Sequence, residues 1–387
     1  MTEFEQIVNF GNLYRAWKKS KRGKRKSFRL RKIESMTLES LYILQKQLIN
    51  GSYTISPYNQ FEIFEPKKRL IKSAHPKDKI VQMSLCENVL IPKMEKHFID
   101  RCFAGRKGKG TLYGLNRLLQ DERDFFEEYG SNGYFLKCDI TKFFYTIDHC
   151  VLKEKLRVYF SDNKVLSLCD LFIDSVDGDG LALGNQTSQL FANLLLNELD
   201  HFIVDKLKIK YYGRYMDDFY LIHADKNYLK YCLTEIAKLL LNLKLSLNGK
   251  TQITHFSDGI KFLGFHTYPN NGEPIRVLCG ENRRRANKKY NRLKTKLGET
   301  EIYQKSYSSW KAFAKNEIIK EDKKMEEVFT LEEASKKLGY AHRTLYTLLK
   351  KKQIRGVKLG KTWRIKESEL KYILDHGLRS ENAEEND

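Results

Sequence analysis

Two adjacent acids sit inside an otherwise aromatic and aliphatic run, RYMDDFYLI at residues 214–222. Neighbours in an extended strand point to opposite faces, so Asp217 and Asp218 can both reach solvent only at a turn between two strands. Such a turn could lift carboxylates toward a metal ion. It could equally be a plain hairpin tip, for which Asp-Asp is ordinary composition. The two readings separate on whether the rest of the chain supplies a further acid. YFLKCDITKFFYTIDHCVLKEKL, residues 134–156, does so: Tyr134 to Cys138 reads as an apolar-rich strand ending in Asp139. Asp148, further on, suits a helix cap better than a ligand. Three carboxylates carried by two strands can hold a pair of Mg2+ ions about 3.5–4 Å apart, an arrangement that stabilises the attacking and leaving oxygens of phosphoryl transfer.

The stretches that must position these acids are basic. YNQFEIFEPKKRLIKSAHPKDKIVQ (58–82) alternates around Phe61, Ile63 and Leu70 and reads as a hairpin, with Lys67, Lys68, Arg69 and Lys72 at its centre. It could clamp a triphosphate or be a solvated tip. RCFAGRKGKGT (101–111) alternates glycine with Arg106, Lys107 and Lys109, which brings backbone close to an anion without the GKS/T ending of a Walker loop. In 177–207, a turn containing Gly184 and Asn185 runs into a helix from about Thr187. Its first N–H groups could grip a phosphate or be capped in the ordinary way. Beyond the acids the pattern predicts an amphipathic helix over 228–241 and a strand near Leu245. An apolar hairpin follows in KFLGFHTY (261–268), with Gly264 where backbone approaches a ligand. Basic helix runs from Arg283, through Arg284 and Arg285, to about Lys315. Before all of these, helices are expected over 10–19 and 38–48, the second ended by Gly51. Between them lies KSKRGKRKSFRLRK (19–32), whose density puts Lys24 and Arg25 within reach of phosphates.

Composition agrees with a polyanionic partner. The formal net charge is +21, with 70 Lys+Arg against 49 Asp+Glu. The 22 Tyr and 22 Phe exceed what a plain core needs and suit base stacking. Seven cysteines without ligand spacing read as free thiols in a reducing compartment. No signal-like segment or run near 18 apolar residues occurs, so a soluble cytoplasmic protein without a membrane partner is expected. The last 60 residues have helix-turn-helix organisation, with residues 341–350, including Arg343, in the recognition position. A small protein-binding tail is the alternative.

FLKCDITKFF, GLALGNQTSQLFANLLLNELD, YGRYMDDFYLI, LSLNGKT and IKFLGF fall in the order of the catalytic blocks of bacterial reverse transcriptases. The resemblance covers roughly residues 10–315. LGNQTSQ, EPKKRLIKSAHPKDKIVQ and GNLYRAWKKSKRGK look most like the enzymes of diversity-generating retroelements. The tail resembles excisionase and MerR-like domains, and no nuclease or maturase motif accompanies it. What the resemblance implies is an α+β right-hand polymerase with an antiparallel palm sheet, plus a small C-terminal helix-turn-helix domain. Its parts would be an N-terminal extension and fingers (1–130), palm (131–270), thumb (271–322), helix-turn-helix (326–376) and a flexible tail (377–387).

The same resemblance assigns Asp139, Asp217 and Asp218 as catalytic acids, with Ile140 beside them in a site for two Mg2+ ions that also tolerates Mn2+. Phe144, next to Phe143, falls at the sugar gate, where its ring would clash with a 2′-hydroxyl. Arg69 and Lys72 match triphosphate contacts, and Leu183, Gly184 and Gln189 the nucleotide wall. Tyr215 and Met216 would shape the primer grip. Arg69 and Leu183 match positions tied to error-prone copying of template adenines, although Leu183 stands where Ile often occurs. The implied partners are a structured or element-encoded RNA template, a DNA or RNA primer, the cDNA product and a small basic accessory protein oligomer. The implied function is RNA-directed DNA synthesis for mutagenic retrohoming. The alternatives are a stand-alone anti-phage reverse transcriptase copying a dedicated non-coding RNA, and a non-catalytic nucleic-acid-binding regulator.

Overall fold

The computed structural model describes residues 1–21, 38–64, 68–270, 272–298, 300–317, 328–351, 353–359 and 362–378. Lys24, Arg25, Lys67 and the residues after 378 lie outside these. The chain divides into two units, residues 1–318 and 319–387.

In the first unit, apolar periodicity builds the expected N-terminal helices, Phe10–Ser20 and Leu38–Ile49. Gly51 takes φ +71° just beyond the second, the left-handed conformation that ends helices. The basic hairpin forms as β1 (Asn59–Ile63) paired antiparallel with β2 (Arg69–Ser73). Its side chains are largely exposed because it packs little apolar surface of its own.

β3 (Tyr134–Asp139) is the centre of the fold. With β4 (Tyr211–Tyr215), β5 (Asp218–His223) and β6 (Gln252–His255) it makes an antiparallel sheet in the order β4-β5-β3-β6. Period-2 alternation sends Leu136, Cys138, Phe219 and Leu221 to one face, where they join the largest core. Phe135, Tyr220 and Ile222 go to the other face, against Phe103, Phe125, Phe256 and Phe262. The sheet is therefore buried on both sides along most of its length. The outer edge of β4 is covered too: Phe103 N–H donates to the Arg214 carbonyl at 2.9 Å and Arg214 N–H to Arg101 at 3.0 Å. Asp148 caps the helix His149–Tyr159 by accepting from Val151 N–H, as its position suggested.

Two expectations change. No strand forms at Leu245: Lys244 turns left-handed at φ +55° and Leu245 N–H still bonds back to Leu240. Leu247 makes a single bridge to Ile140, and pairing resumes only at β6. The basic helical stretch is two helices, Gly280–Leu297 and Glu301–Ala314, broken at Gly298 (φ +62°). They follow a small sheet of β7 (Ile260–Phe262), β8 (Phe265–Tyr268) and β9 (Ile275–Leu278). Ala286 and Tyr290 bury one stripe of the first helix against Tyr303, Tyr307 and Trp310, which leaves its basic faces in solvent.

In the second unit, a sheet in the order β10-β12-β11 accompanies, among the described residues, three helices. β10 is Val328–Thr330, β11 Val357–Leu359 and β12 Thr362–Lys366. Helix Leu331–Leu338 starts in a Thr330–Glu333 capping box and ends at Gly339, φ +73°. Helix His342–Lys350 buries Leu345, Leu348 and Leu349 beside Ile365 and Ile373. The seven cysteines of the chain are all free. Among the described residues no helix is long and apolar enough to cross a membrane.

Candidate active site

Tyr215 pairs with Asp218, so Met216 and Asp217 are a two-residue loop joining β4 to β5. Met216 has φ +57°. Hairpin loops of the II′ type take glycine at that first position, and a side chain there costs about 1–2 kcal/mol. Asp218 lies directly opposite Asp139 in the β3–β5 ladder, so the two carboxylates leave the same face of the sheet. The Asp217 carbonyl accepts from Ile140 N–H at 3.2 Å, which ties the loop to the end of β3. Burial raises the pKa of the Asp217 carboxyl. The charge of Asp139 pushes it the same way, opposed by a hydrogen bond from its own N–H and by the charges of Arg69 and Lys137.

Asp139 and Asp218 each have a partner. Asn248 Nδ2 donates to Asp139 Oδ2 at 3.1 Å, and Lys137 forms an ion pair with Asp218. Lys137 lies on the face of Asp139 by the two-residue period, with its ammonium 4.9 Å from the centre of the Phe262 ring. Burial pulls that ammonium down to about 8, against the opposing charges of Asp139 and Asp217. Among the described residues, no group of three or more His, Cys, Asp or Glu side chains is gathered into a metal cage. The donors are nevertheless hard carboxylate oxygens, and the charge of Asp139 disfavours that of Asp217. That chemistry fits a hard divalent cation such as Mg2+ or Mn2+.

The nucleotide-side residues are joined through one loop. Lys72 N–H donates to the Leu183 carbonyl at 2.9 Å, which pins β2 to the segment before helix Gln186–Leu195. A Cβ on Gly184, at φ +126°, would stand 2.7 Å from the Lys72 carbonyl oxygen, so this approach requires glycine. In the same loop Leu181 N–H donates to the Phe144 carbonyl at 2.7 Å. Phe144 is half-buried and edge-on to Phe143, which is turned into the core. Gln189 is exposed on the first turns of the helix.

The residues expected at nucleic acid differ in availability. Arg106 donates to the carbonyls of Ile99 and Cys102, and Lys109 to the carbonyl and carboxylate of Asp100. Both brace their own loop, because its turns leave carbonyls that need donors; Lys107 is exposed. Gly264, φ +91°, makes its close approach to Asn282, whose Nδ2 would sit 2.8 Å from an added Cβ. Asn282 Nδ2 donates to the Gly264 carbonyl at 3.0 Å, which seats the basic helix. On that helix Arg284 is exposed, Arg283 pairs with Glu317, and Arg285 with Glu281. Tyr215 accepts a hydrogen bond from Thr111 at 3.4 Å, and Met216 is 9% exposed. In the second unit Arg343, Thr344, Tyr346 and Thr347 are exposed on helix His342–Lys350.

Sequence reasoning missed Lys137, Asn248 and, above all, Arg214. The Arg214 guanidinium and the Asp200 carboxylate are both fully buried on the face of the sheet opposite Asp218. Nε and Nη2 of Arg214 donate to the two Asp200 oxygens, each at 2.6 Å. Nη1 donates to Asn193 Oδ1 at 3.2 Å and to the Met216 carbonyl at 3.0 Å. Tyr212 donates to Asp200 at 2.6 Å. The available signal was an arginine at an apolar position of a central strand, which demands a buried partner.

A four-stranded antiparallel sheet backed by helices, with acids where two of its strands meet a hairpin loop, is the right-hand polymerase fold. Residues 65–267 match the reverse transcriptase (RNA-dependent DNA polymerase) family, and the chain belongs to that family. It is thus an RNA-directed DNA polymerase. Residues 328–375 match a helix-turn-helix domain family. The chain is similar to protein YkfC of Escherichia coli K12, 24% identical over 269 residues, 58% of this chain and 70% of that protein. It is also similar to a COX1/OXI3 intron 1 protein of Saccharomyces cerevisiae, 22% identical over 200 residues, 48% of this chain and 23% of the yeast protein. Among solved structures, telomerase from Candida albicans in complex with a fragment of telomeric RNA aligns at 15% identity and a TM-score of 0.43. That alignment covers 63% of this chain and 50% of the telomerase chain.

Proposed function

We propose that the protein extends a DNA or RNA primer with dNTPs on an element-encoded RNA, making cDNA for mutagenic retrohoming in a diversity-generating retroelement. The observation that carries the catalytic part is convergence: Asp218 lies opposite Asp139 in the β3–β5 ladder, Ile140 N–H ties the Asp217 loop to the end of β3, and the charge of Arg69, from the basic hairpin, is felt at Asp217. Acids and a finger cation around one point suit a triphosphate whose charge changes during reaction. Asp139, Asp217 and Asp218, with Ile140 beside them, are the residues that would hold two Mg2+ ions. When bound, such ions favour the deprotonated primer 3′-hydroxyl and offset charge on the leaving pyrophosphate.

The chain's own residues do the rest. Arg69 and Lys72 bind the triphosphate and stabilise charge on it. Phe144 excludes a ribose 2′-hydroxyl, and Leu183, Gly184 and Gln189 wall the nucleotide. Tyr215 and Met216 support the primer end. Lys107 and the basic helix with Arg283, Arg284 and Arg285 hold backbone phosphates, while base pairing reads sequence. The exposed face around Arg343 takes DNA, which would bring the enzyme to its locus. A small basic accessory oligomer is the further partner of this reading.

The retroelement assignment rests on the LGNQTSQ stretch, residues 183–189. Sequencing the RNA and cDNA that copurify from cells tests it. A template-repeat RNA with cDNA altered at adenines is expected. A dedicated structured RNA copied faithfully would move the protein to the anti-phage class, and absence of cDNA would defeat both.

A further inference from the structure

The Met216–Asp217 peptide is the end of a relay of fixed groups that begins on the opposite face of the sheet. Arg214 Nη1 donates to the Met216 carbonyl at 3.0 Å. That oxygen and the Asp217 nitrogen belong to one planar peptide, so holding the oxygen fixes the direction of the Asp217 N–H. On its far side the Asp217 carbonyl accepts from Ile140 N–H at 3.2 Å, so the residue is held at both of its peptides. The loop needs such a hold, because Met216 occupies a left-handed conformation that its side chain disfavours. Arg214 cannot drift, since Asp200 takes its Nε and Nη2 in a two-pronged grip and Asn193 shares its Nη1. Asn193 and Asp200 lie on the helices Gln186–Leu195 and Asn197–His201, which pack under the sheet.

We infer that Arg214, clamped by Asp200, is a positioning residue that sets where Asp217 stands by holding the Met216–Asp217 peptide. The inference rests on the proposed role of Asp217 in holding divalent ions. Outer partners of metal-binding groups typically govern affinity or rate by about 10–100-fold when removed.

The test separates position from stability. Removing Arg214 alone would strand Asp200, so the whole network is replaced at once in Arg214→Met/Asp200→Leu/Tyr212→Phe. Asn193 Oδ1 still has the Cys102 thiol within 3.5 Å in that variant. Exchanging a complete buried ion pair for apolar groups usually preserves the fold. The expected result is a melting temperature within about 5 °C of wild type. With it come a kcat about 10–100-fold lower, Mn2+ binding (followed by electron paramagnetic resonance) weakened by a similar factor, and an unchanged KM for dNTP. A folded variant with wild-type kcat and Mn2+ affinity would overturn the inference. If the triple variant does not fold, Arg214→Lys decides. It keeps the charge on Asp200 but not the planar fork that also reaches Met216, so the same losses are expected, and wild-type kcat and Mn2+ affinity would overturn the proposal. Asp217→Ala runs beside both. Full incorporation by Asp217→Ala removes the site reading itself, whereas an inactive Asp217→Ala with a wild-type network variant removes only the role of Arg214.

Discussion

The β4–β5 hairpin carries an ion pair on each face of the sheet, and the two are built differently. On the helix-covered face, Arg214 and Asp200 are both 0% exposed and joined by two parallel hydrogen bonds. On the other face, Lys137 and Asp218 keep 16% and 29% of their side-chain surface. A guanidinium offers a rigid fork of donors, whereas an ammonium is a point charge on a flexible stem. The sealed pair can therefore fix a shape but cannot change partners. The half-open pair fixes little, and its cation can be exchanged for another. One strand pair separates the group that sets geometry from the groups left free for chemistry.

Stability gives the sharpest way to break that comparison. Arg214→Ala should cost about 3–5 kcal/mol, because Asp200 is left buried and uncompensated. Lys137→Met should cost about 1 kcal/mol, since Asp218 retains solvent. Urea denaturation checks both, and equal losses would mean that the two faces do not differ. Next in size is Asp218→Ala, for which primer extension should slow by about 10–100-fold, less than for Asp217→Ala, because Asp218 already has Lys137 as its counter-charge. Phe144→Ala comes third: discrimination against NTPs should fall about tenfold while dNTP use persists, measured by paired incorporation kinetics. Unchanged discrimination would leave Phe144 as packing.

The last is a slope in pH. Glu122 is buried, and burial raises its pKa from 4.5 to about 8, with Thr267 donating to it at 2.6 Å. The folded protein then holds a proton that the unfolded chain releases. Its contribution to stability is complete below 4.5 and is lost as pH rises toward about 8. Glu122→Gln should flatten that part of the stability profile, and an unaltered profile would show that Glu122 is ionised in the fold.

Local pattern made much of this legible. Asp139 at a strand end, the hairpin that presents Asp217 and Asp218, the Asp148 cap and the two helices around Gly339 all follow from residue type and period. What stayed hidden depended on distance along the chain. Arg214 meets Asp200, Asn193 and Cys102 at separations of 14, 21 and 112 residues, which no local pattern encodes. The loop bonds of Arg106 and Lys109 were hidden for a related reason. A basic residue that satisfies its own loop's carbonyls looks, in sequence, like one that awaits a phosphate. Leu245 misled because a buried apolar residue after a helix can be a helix terminus as easily as a strand.

The most direct test of the account is single-nucleotide extension of a primer annealed to RNA, with dNTP and Mg2+, for wild type and Asp217→Ala at equal folded concentration. The expected result is template-directed incorporation by wild type and a rate below about one-hundredth of it for Asp217→Ala. Comparable incorporation by the two proteins would contradict the assignment of the chemistry to this hairpin.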